Sequence, residues 1–374
     1  MPARGPLASL TDEIARLAER GLLRDEPPAG DEAPARGFCS NDYLGLASAP
    51  AVDGPRGAGA SRLLGGDHAA HHALEAGLAS LVGHEAALLF SSGFAANLGT
   101  MSALVGPDDL VVSDALNHAS IIDGCRLSRA RVEVTPHGDV GAVARALEGP
   151  ARRKWVVCES YFSMDADQPD LRALRRVCDE AGAGLVVDEA HALGVLGPEG
   201  RGLCAEAGVR ADVLVGTLGK SFGAQGAFVA GPRALRTWLW NRARSHVFST
   251  GLAPVVAASA LASLEQTLAH PELRERVLSL SGVLRGALAE RGVPARGFGH
   301  IVPVVLGDPR PTVEVAALLR ERGVRAMAVR PPTVPEGTSR LRFTVTALHT
   351  PERLATVAEQ LADVLRALNV RALP

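Results

Sequence analysis

Short, fully apolar runs separated by helix-patterned stretches dominate the chain from about residue 75 onward. AALLF (86–90), LVVS (110–113), KWVVCES (154–160), GLVVDEAH (184–191), DVLVGT (212–217) and GAFVAG (226–231) read as buried strands. Between them DLRALRRVCDEAG (170–182) sets Leu171, Leu174 and Val177–Cys178 on one stripe, which predicts a helix. The alternation predicts an α/β domain with a largely parallel sheet. In such sheets ligands sit at the carboxyl ends of the strands. Polar residues follow the apolar runs there: Ser113–Asp114, Glu159, Asp188, His191, Thr217 and Lys220.

Beyond roughly residue 255 the rhythm changes. Residues 270–292 and 312–323 are helical in pattern, 300–308 and 339–349 strand-like, and 350–368 form a closing helix with Thr350 as N-cap and Pro351 in its first turn. This predicts a smaller α+β domain. At the other end SLTDEIARLAERG (9–21) reads as an amphipathic helix with Ile14 and Leu17 on one face and Gly21 as its stop. A Pro/Gly/Ala-rich connector follows. The expected division is an N-terminal helix and connector over 1–38, a large domain over 39–255 and a small domain over 256–374.

Composition narrows the class. With 374 residues, 47% hydrophobic and 21% charged, the chain has ample material for a core, and a net charge of −2 gives no reason to expect nucleic acid or an anionic membrane. Cys39, Cys125, Cys158, Cys178 and Cys204 are odd in number and widely spaced, which suits a reducing compartment. The N-terminus lacks an apolar signal-peptide core, and residues 86–107, though uncharged, are too polar to span a bilayer. A cytoplasmic protein is expected.

Lys220 carries the sharpest chemical signal. Of 39 basic residues only Lys154 and Lys220 are lysines. A solvated cation can be arginine; an amine that must shed its proton cannot, because guanidinium stays protonated. Lys220 stands after a strand in VGTLGKS, which lacks the spacing of a Walker A loop. It is either a loop lysine or a Schiff-base lysine, and its rarity favours the second. Asp188, closing an apolar strand, is either a loop cap or a buried carboxylate awaiting a cation such as a protonated pyridine nitrogen. His118, just past a strand end, is structural or catalytic. SSGFAANLG (91–99) looks like a turn into a helix whose free N–H groups can bind phosphate. HAAHH (68–72) with Glu75 lacks the order of a zinc helix, so no metal is expected.

These residues sit in stretches that resemble the α-oxoamine synthases, fold-type I enzymes dependent on pyridoxal 5′-phosphate (PLP). FCSNDYLGL, GASRLLGG, LLFSSGFAANLG, SDALNHASIIDGCRLS, FSMDAD, VVDEAHALGVLGPEGRG, GTLGKSFGAQGAFVAG, VFSTGLAP and RPPTVPEGTSRLRFT match in order, almost end to end. The resemblance implies an aspartate-aminotransferase-like fold with a mostly parallel, seven-stranded sheet. It implies that Lys220 binds the PLP aldehyde, His118 stacks on the ring, Asp188 pairs with the pyridine nitrogen, and His191, with Ser163 nearby, approaches the phenolic oxygen. Gly93, Phe94 and Thr217 would hold the phosphate, with Thr250 reaching the phosphate of the neighbouring subunit in a homodimer. Asn41 and Arg330 would hold an amino-acid carboxylate, and Arg24 and Arg342 are candidates for the acyl pocket.

The closest likeness is to the branch that condenses L-alanine with a pimeloyl thioester, on CoA or acyl carrier protein, in biotin biosynthesis. The alternatives are a sister synthase, such as a glycine C-acetyltransferase, or a PLP aminotransferase. The stretch 47–57 and the connector 25–38 are shorter than is usual in the family, and both flank the expected acyl entrance.

Overall fold

The structure, a computed structural model, describes residues 7–24, 37–50 and 52–374. Seven strands form one sheet: β1 (Ala86–Phe90), β2 (Leu110–Asp114), β3 (Arg131–Thr135), β4 (Lys154–Glu159), β5 (Gly184–Asp188), β6 (Val213–Thr217) and β7 (Ala227–Gly231). Their order is β1-β7-β6-β5-β4-β2-β3. β7 runs antiparallel to both of its neighbours, and every other pair is parallel. The parallel strands are joined through helices because a tight turn cannot connect them.

The continuous apolar runs have a direct cause. Leu88 and Phe90 of β1 join Val111, Val157, Val186, Val215 and Val229 in a core on one face. Ala87 and Leu89 join Leu214, Phe228, Leu74 and Leu264 in a core on the other. A strand covered twice has no position left for a polar residue until it ends. β3 escaped the apolar-run criterion for the opposite reason. It lies at the sheet edge, where Val132 and Val134 are exposed and alternate with Arg131 and Glu133.

Contacts divide the chain differently from the sequence-based expectation. The large unit comprises Asn41–Ser163 and Asp167–Val277; the smaller contains Leu278–Pro374, Met164–Ala166 and the described residues up to Ser40. The expected boundary at 255 is displaced because the helix Pro254–Ala269 lies on the helix Ala69–Leu81. Leu264 approaches so closely that a Cβ on Gly77 would meet its Cδ2 at 3.1 Å. Ala257, Ala260 and Leu264 are thereby part of the large unit's core.

The smaller unit holds β8 (Ile301–Gly307), β9 (Met327–Val329) and β10 (Ser339–Thr344), antiparallel with β10 central. Its core gathers Leu284, Leu288, Val302, Val304, Leu341, Phe343 and Leu361. Phe38 explains why residues just before Ser40 belong here. Its amide donates to the Arg325 carbonyl, its carbonyl accepts from Thr344, and its ring stacks on His349 at 4.4 Å. The closing helix Pro351–Ala367 is capped by Thr350, whose side chain accepts from the Arg353 amide at 3.3 Å. The first helix, Leu10–Glu19, falls within its predicted span, with Ile14 and Leu17 exposed and Gly21 turning at φ +67°. The connector 25–36 lies outside the described residues. Among the described residues no helix is long and apolar enough to cross a membrane, and all five cysteines are free thiols.

Candidate active site

Four strands of the large unit end side by side in acidic or hydroxylic residues: β2 in Asp114, β4 in Glu159, β5 in Asp188 and β6 in Thr217. Glu159 and Asp188 are partners in the β4–β5 register, so two buried carboxyl groups project from the same side of the sheet.

Asp188 is fixed from two directions. The Ala190 amide donates to Oδ1 at 2.8 Å, and Asn97 Nδ2 donates to Oδ2 at 2.7 Å. Neither donor is charged. Asn97 lies on the buried side of the helix Gly93–Leu104 and also donates to Ser120 Oγ at 3.0 Å. Sequence reasoning missed it. Its one signal was an amide within an otherwise small and apolar helical stretch.

His118 caps the helix Ala119–Ser128. Its Nδ1 accepts from the Ser120 amide at 3.2 Å and lies 2.7 Å from the Ser120 hydroxyl. With Nδ1 accepting, the neutral ring carries its proton on Nε2. Desolvation lowers the His118 pKa, the Lys220 charge lowers it further, and Asp188 opposes both. The His118 backbone amide donates to Glu159 Oε1 at 2.7 Å. Burial first, and the Asp188 charge second, push the Glu159 carboxyl up to about 8. Glu159 is therefore a neutral acid at pH 7, and Asp188 has no second anion beside it.

Lys220 stands in a turn closed on itself. Leu218 donates to the Gly226 carbonyl, Ala224 to that of Leu218, and Gly223 to that of Lys220. The Ser221 hydroxyl donates to the Leu193 carbonyl at 2.6 Å, tying this turn to the loop that carries His191. Gly223 is required by close approach as well as by its φ of +56°, since a Cβ there would meet the Ala47 amide at 2.4 Å. His191 is buried, with Nδ1 2.6 Å from the hydroxyl of the fully buried Tyr43; that hydroxyl also reaches Asn41 Oδ1 at 3.3 Å. Tyr43 is a second residue that sequence reasoning did not single out.

Thr217 faces the start of the helix Gly93–Leu104. A Cβ on Gly93 would lie 3.9 Å from Thr217 Oγ1, so the two face one another across a narrow gap. Ser92 caps this helix by accepting from the Ala95 amide at 3.1 Å, and Phe94 beside it is exposed. Gly93 and Phe94, at the helix start, have amides without intrahelical acceptors. Ser163 is buried in the loop after β4. Thr250 is exposed on a segment held by the Gly251 amide to the Ala60 carbonyl at 2.9 Å.

The large unit thus brings together Lys220, His118, Asp188, Thr217 and Gly93, with His191 and Asn41 linked through Tyr43. Arg24, Arg330 and Arg342 belong to the smaller unit. Arg330 donates to the carbonyls of Gly21 and Leu23, Arg24 to Thr333 Oγ1 at 3.2 Å, and Arg342, buried in β10, to Thr344 Oγ1 at 3.0 Å. In HAAHH each engaged side chain has a protein partner. His71 reaches the Leu252 carbonyl at 2.7 Å, His72 reaches Asp67 at 2.6 Å, and Glu75 pairs with Arg62 and Arg236.

The family model for aminotransferase class I and II matches residues 35–361. The chain is 48% identical to an 8-amino-7-oxononanoate synthase of Anaeromyxobacter dehalogenans, over 97% of each chain. It is 47% identical to one of Mycolicibacterium smegmatis, over 96% of this chain and 97% of that one. Among solved structures, a Sphingomonas wittichii serine palmitoyltransferase superposes with a TM-score of 0.90 at 30% identity, covering 98% and 99% of the two chains. An 8-amino-7-oxononanoate synthase from Francisella tularensis superposes at 0.77 and 25%, covering 90% and 100%. Identity at this level along nearly the whole length places the chain in the 8-amino-7-oxononanoate synthase family, a branch of the class I and II aminotransferase fold whose cofactor is pyridoxal 5′-phosphate.

Proposed function

We propose that this chain condenses L-alanine with a pimeloyl thioester, on CoA or acyl carrier protein, to give 8-amino-7-oxononanoate, the free thiol and CO2. The observation that carries the reading is Lys220 gathered with His118 and a buried Asp188 at the strand ends. The residues fit PLP on their own chemistry. Asp188 is buried with only neutral hydrogen-bond donors, and a buried carboxylate of that kind is stabilised by a cation such as a protonated ring nitrogen. The amides at the helix N-terminus at Gly93, with the Thr217 hydroxyl beside them, suit a phosphate.

PLP, when bound, supplies an electron sink that spreads the charge left at the amino acid's Cα into its protonated ring. Asp188, fixed by Asn97 and Ala190, holds the ring-nitrogen proton. The neutral imidazole of His118 would pack against the ring without adding charge. Gly93 and Phe94 offer amides, and Thr217 a hydroxyl, to the phosphate, with Thr250 serving the phosphate site of the second copy in a homodimer. His191, oriented by Tyr43, and Ser163 address the phenolic oxygen.

Lys220 is the covalent anchor, and its released amine is the general base that takes the Cα proton of L-alanine and returns one to the product. Arg330 and Asn41 hold the alanine carboxylate; guanidinium geometry suits two parallel bonds to it. Arg24 and Arg342 serve the acyl chain. The bond changes these residues would serve are a new bond from alanine's Cα to the thioester carbonyl carbon, with departure of the thiolate, and the loss of alanine's carboxylate as CO2.

The likeness to serine palmitoyltransferase supports one second reading, a sister synthase with another amino acid and acyl group. One assay separates the two. PLP-loaded enzyme is given L-alanine, glycine or L-serine with pimeloyl-, acetyl- or palmitoyl-CoA, and free thiol and product mass are followed. Alanine with pimeloyl-CoA is expected to lead. A faster reaction with another pair, or amino transfer to a keto acid without thioester, overturns the proposal.

A further inference from the structure

His137 stands outside the catalytic cluster, in the loop between β3 and the helix Val140–Ala146, yet it touches two of the loops that build the site. Its Nδ1 lies 2.9 and 3.1 Å from the two carboxylate oxygens of Asp114, the last residue of β2. Its Nε2 lies 3.0 Å from Asp167 Oδ2. Its ring meets that of Phe162 edge-on at 4.4 Å. Phe162 and Asp167 are themselves joined, the Phe162 amide donating to the Asp167 carbonyl at 2.9 Å, so they form the closed base of a short loop. Ser163 follows Phe162 directly and is buried.

The Asp114 end is fixed independently. Its carboxylate accepts from the amides of Leu116 and Gly138 at 2.8 and 2.9 Å, and the Ala115 amide donates to the Thr135 carbonyl at 3.0 Å. Both nitrogens of His137 face carboxylates, and both can donate only in the imidazolium form. The hydrogen bonds to Asp114 and Asp167 raise its pKa to about 10, so the ring stays charged through the neutral range. His137 has no role in the mechanism proposed above.

We infer that His137 is a positioning residue for Ser163, its charged ring fastening the closed base of the loop at Phe162 and Asp167 to the end of β2. The inference rests on the reading of Ser163 as a partner of the cofactor's phenolic oxygen. His137 touches no substrate. It sets where the Ser163 hydroxyl stands, and through it the protonation of the bound ring. Glutamine at this position can reach one carboxylate but carries no charge, so the clamp is released at one end.

The test is a pH titration of the cofactor absorbance in PLP-loaded wild type, S163A, H137Q, D167N and S163A/H137Q. S163A is expected to move the midpoint by about one pH unit, the weight of one hydrogen bond to a charged oxygen. H137Q and D167N are expected to move it in the same direction by less, and the double variant to match S163A alone. D167N guards against an H137Q chain that fails to fold, because Asp167 is partly exposed and asparagine retains an acceptor. If S163A shifts the midpoint while H137Q and D167N remain at the wild-type value, or if the double variant shows additive shifts, the inference is overturned and the reading of Ser163 stands. A flat response to S163A overturns both.

Discussion

Asn97 offers a measurement of how much Asp188 depends on the side chain that fixes it. In Asn97→Ala the side chain that donates to Asp188 at 2.7 Å and to Ser120 at 3.0 Å is lost from a buried position. A hydrogen bond to a charged group contributes about 1.5–3 kcal/mol, and about 1.4 kcal/mol is a factor of ten, so the bond to Asp188 corresponds to roughly ten- to a hundred-fold in whatever equilibrium depends on that carboxylate. PLP binding is such an equilibrium under the proposed function, in which Asp188 faces the ring nitrogen. The assay titrates apo-enzyme with PLP, following absorbance, for wild type, N97A, D188A and the double variant. N97A is expected to weaken binding by that factor. In the D188A background the same change is expected to cost little, since the acceptor is gone. Thermal melts of the four apo-proteins separate the loss of packing around a buried alanine from the loss of binding. Wild-type affinity in N97A, or equal losses in both backgrounds, would refute the idea that Asn97 acts through Asp188.

Further expectations follow from the same geometry. Borohydride reduction of the PLP-loaded enzyme and peptide mapping should place the label on Lys220 and not on Lys154, whose ammonium donates to the Leu147 carbonyl at 2.6 Å; label on Lys154 would end the mechanism. For Glu159 the folded pKa of about 8 lies above the ordinary carboxyl value, so the folded state holds a proton that the unfolded chain releases. Its stabilising contribution is complete below about 4.5 and is lost as pH rises through 8. Glu159→Gln should therefore flatten the decline of melting temperature between pH 5 and 9, and an unchanged slope would count against a neutral Glu159. His137, facing Asp114, Asp167 and the Phe162 ring, has a folded value of about 10. Its contribution is complete below the ordinary histidine value and lost as pH rises through 10. The difference in melting temperature between wild type and H137Q should be largest near pH 6 and vanish above pH 10; a constant gap would show that the ring's charge is not what matters.

What could be read from the chain alone was whatever local pattern determines. Strands covered on both faces announce themselves as unbroken apolar runs, and the first polar residue after each run marks the sheet's carboxyl edge; Asp188 and Thr217 stood out on that basis, and Lys220 by the scarcity of lysine. Asn97 was not, because its meaning lies in a carboxylate 91 positions away. Tyr43 was hidden similarly, since its hydroxyl is explained by His191 and not by its own neighbours. The edge strand β3 was invisible to a criterion that rewards burial. The boundary at 255 failed because a helix beginning near a change of rhythm can still pack backward, as Leu264 does against Gly77. Arg340 shows the same limit. Nothing in SRLRFT tells it apart from Arg342, yet it is the one that donates to the Met164 carbonyl at 2.9 Å and pairs with Asp165.

The reversal of β7 has a consequence for chain length. Because β7 returns antiparallel beside β6, with Thr217 opposite Ala227, the Lys220 turn is the tip of a paired ribbon. One residue inserted or deleted there would slide β7 by one position and exchange its two faces, turning Phe228 to the side that holds Ala227 and Val229. Tolerance to indels in this turn should accordingly alternate with parity, single-residue changes abolishing the fold and two-residue changes costing mainly the placement of the amine.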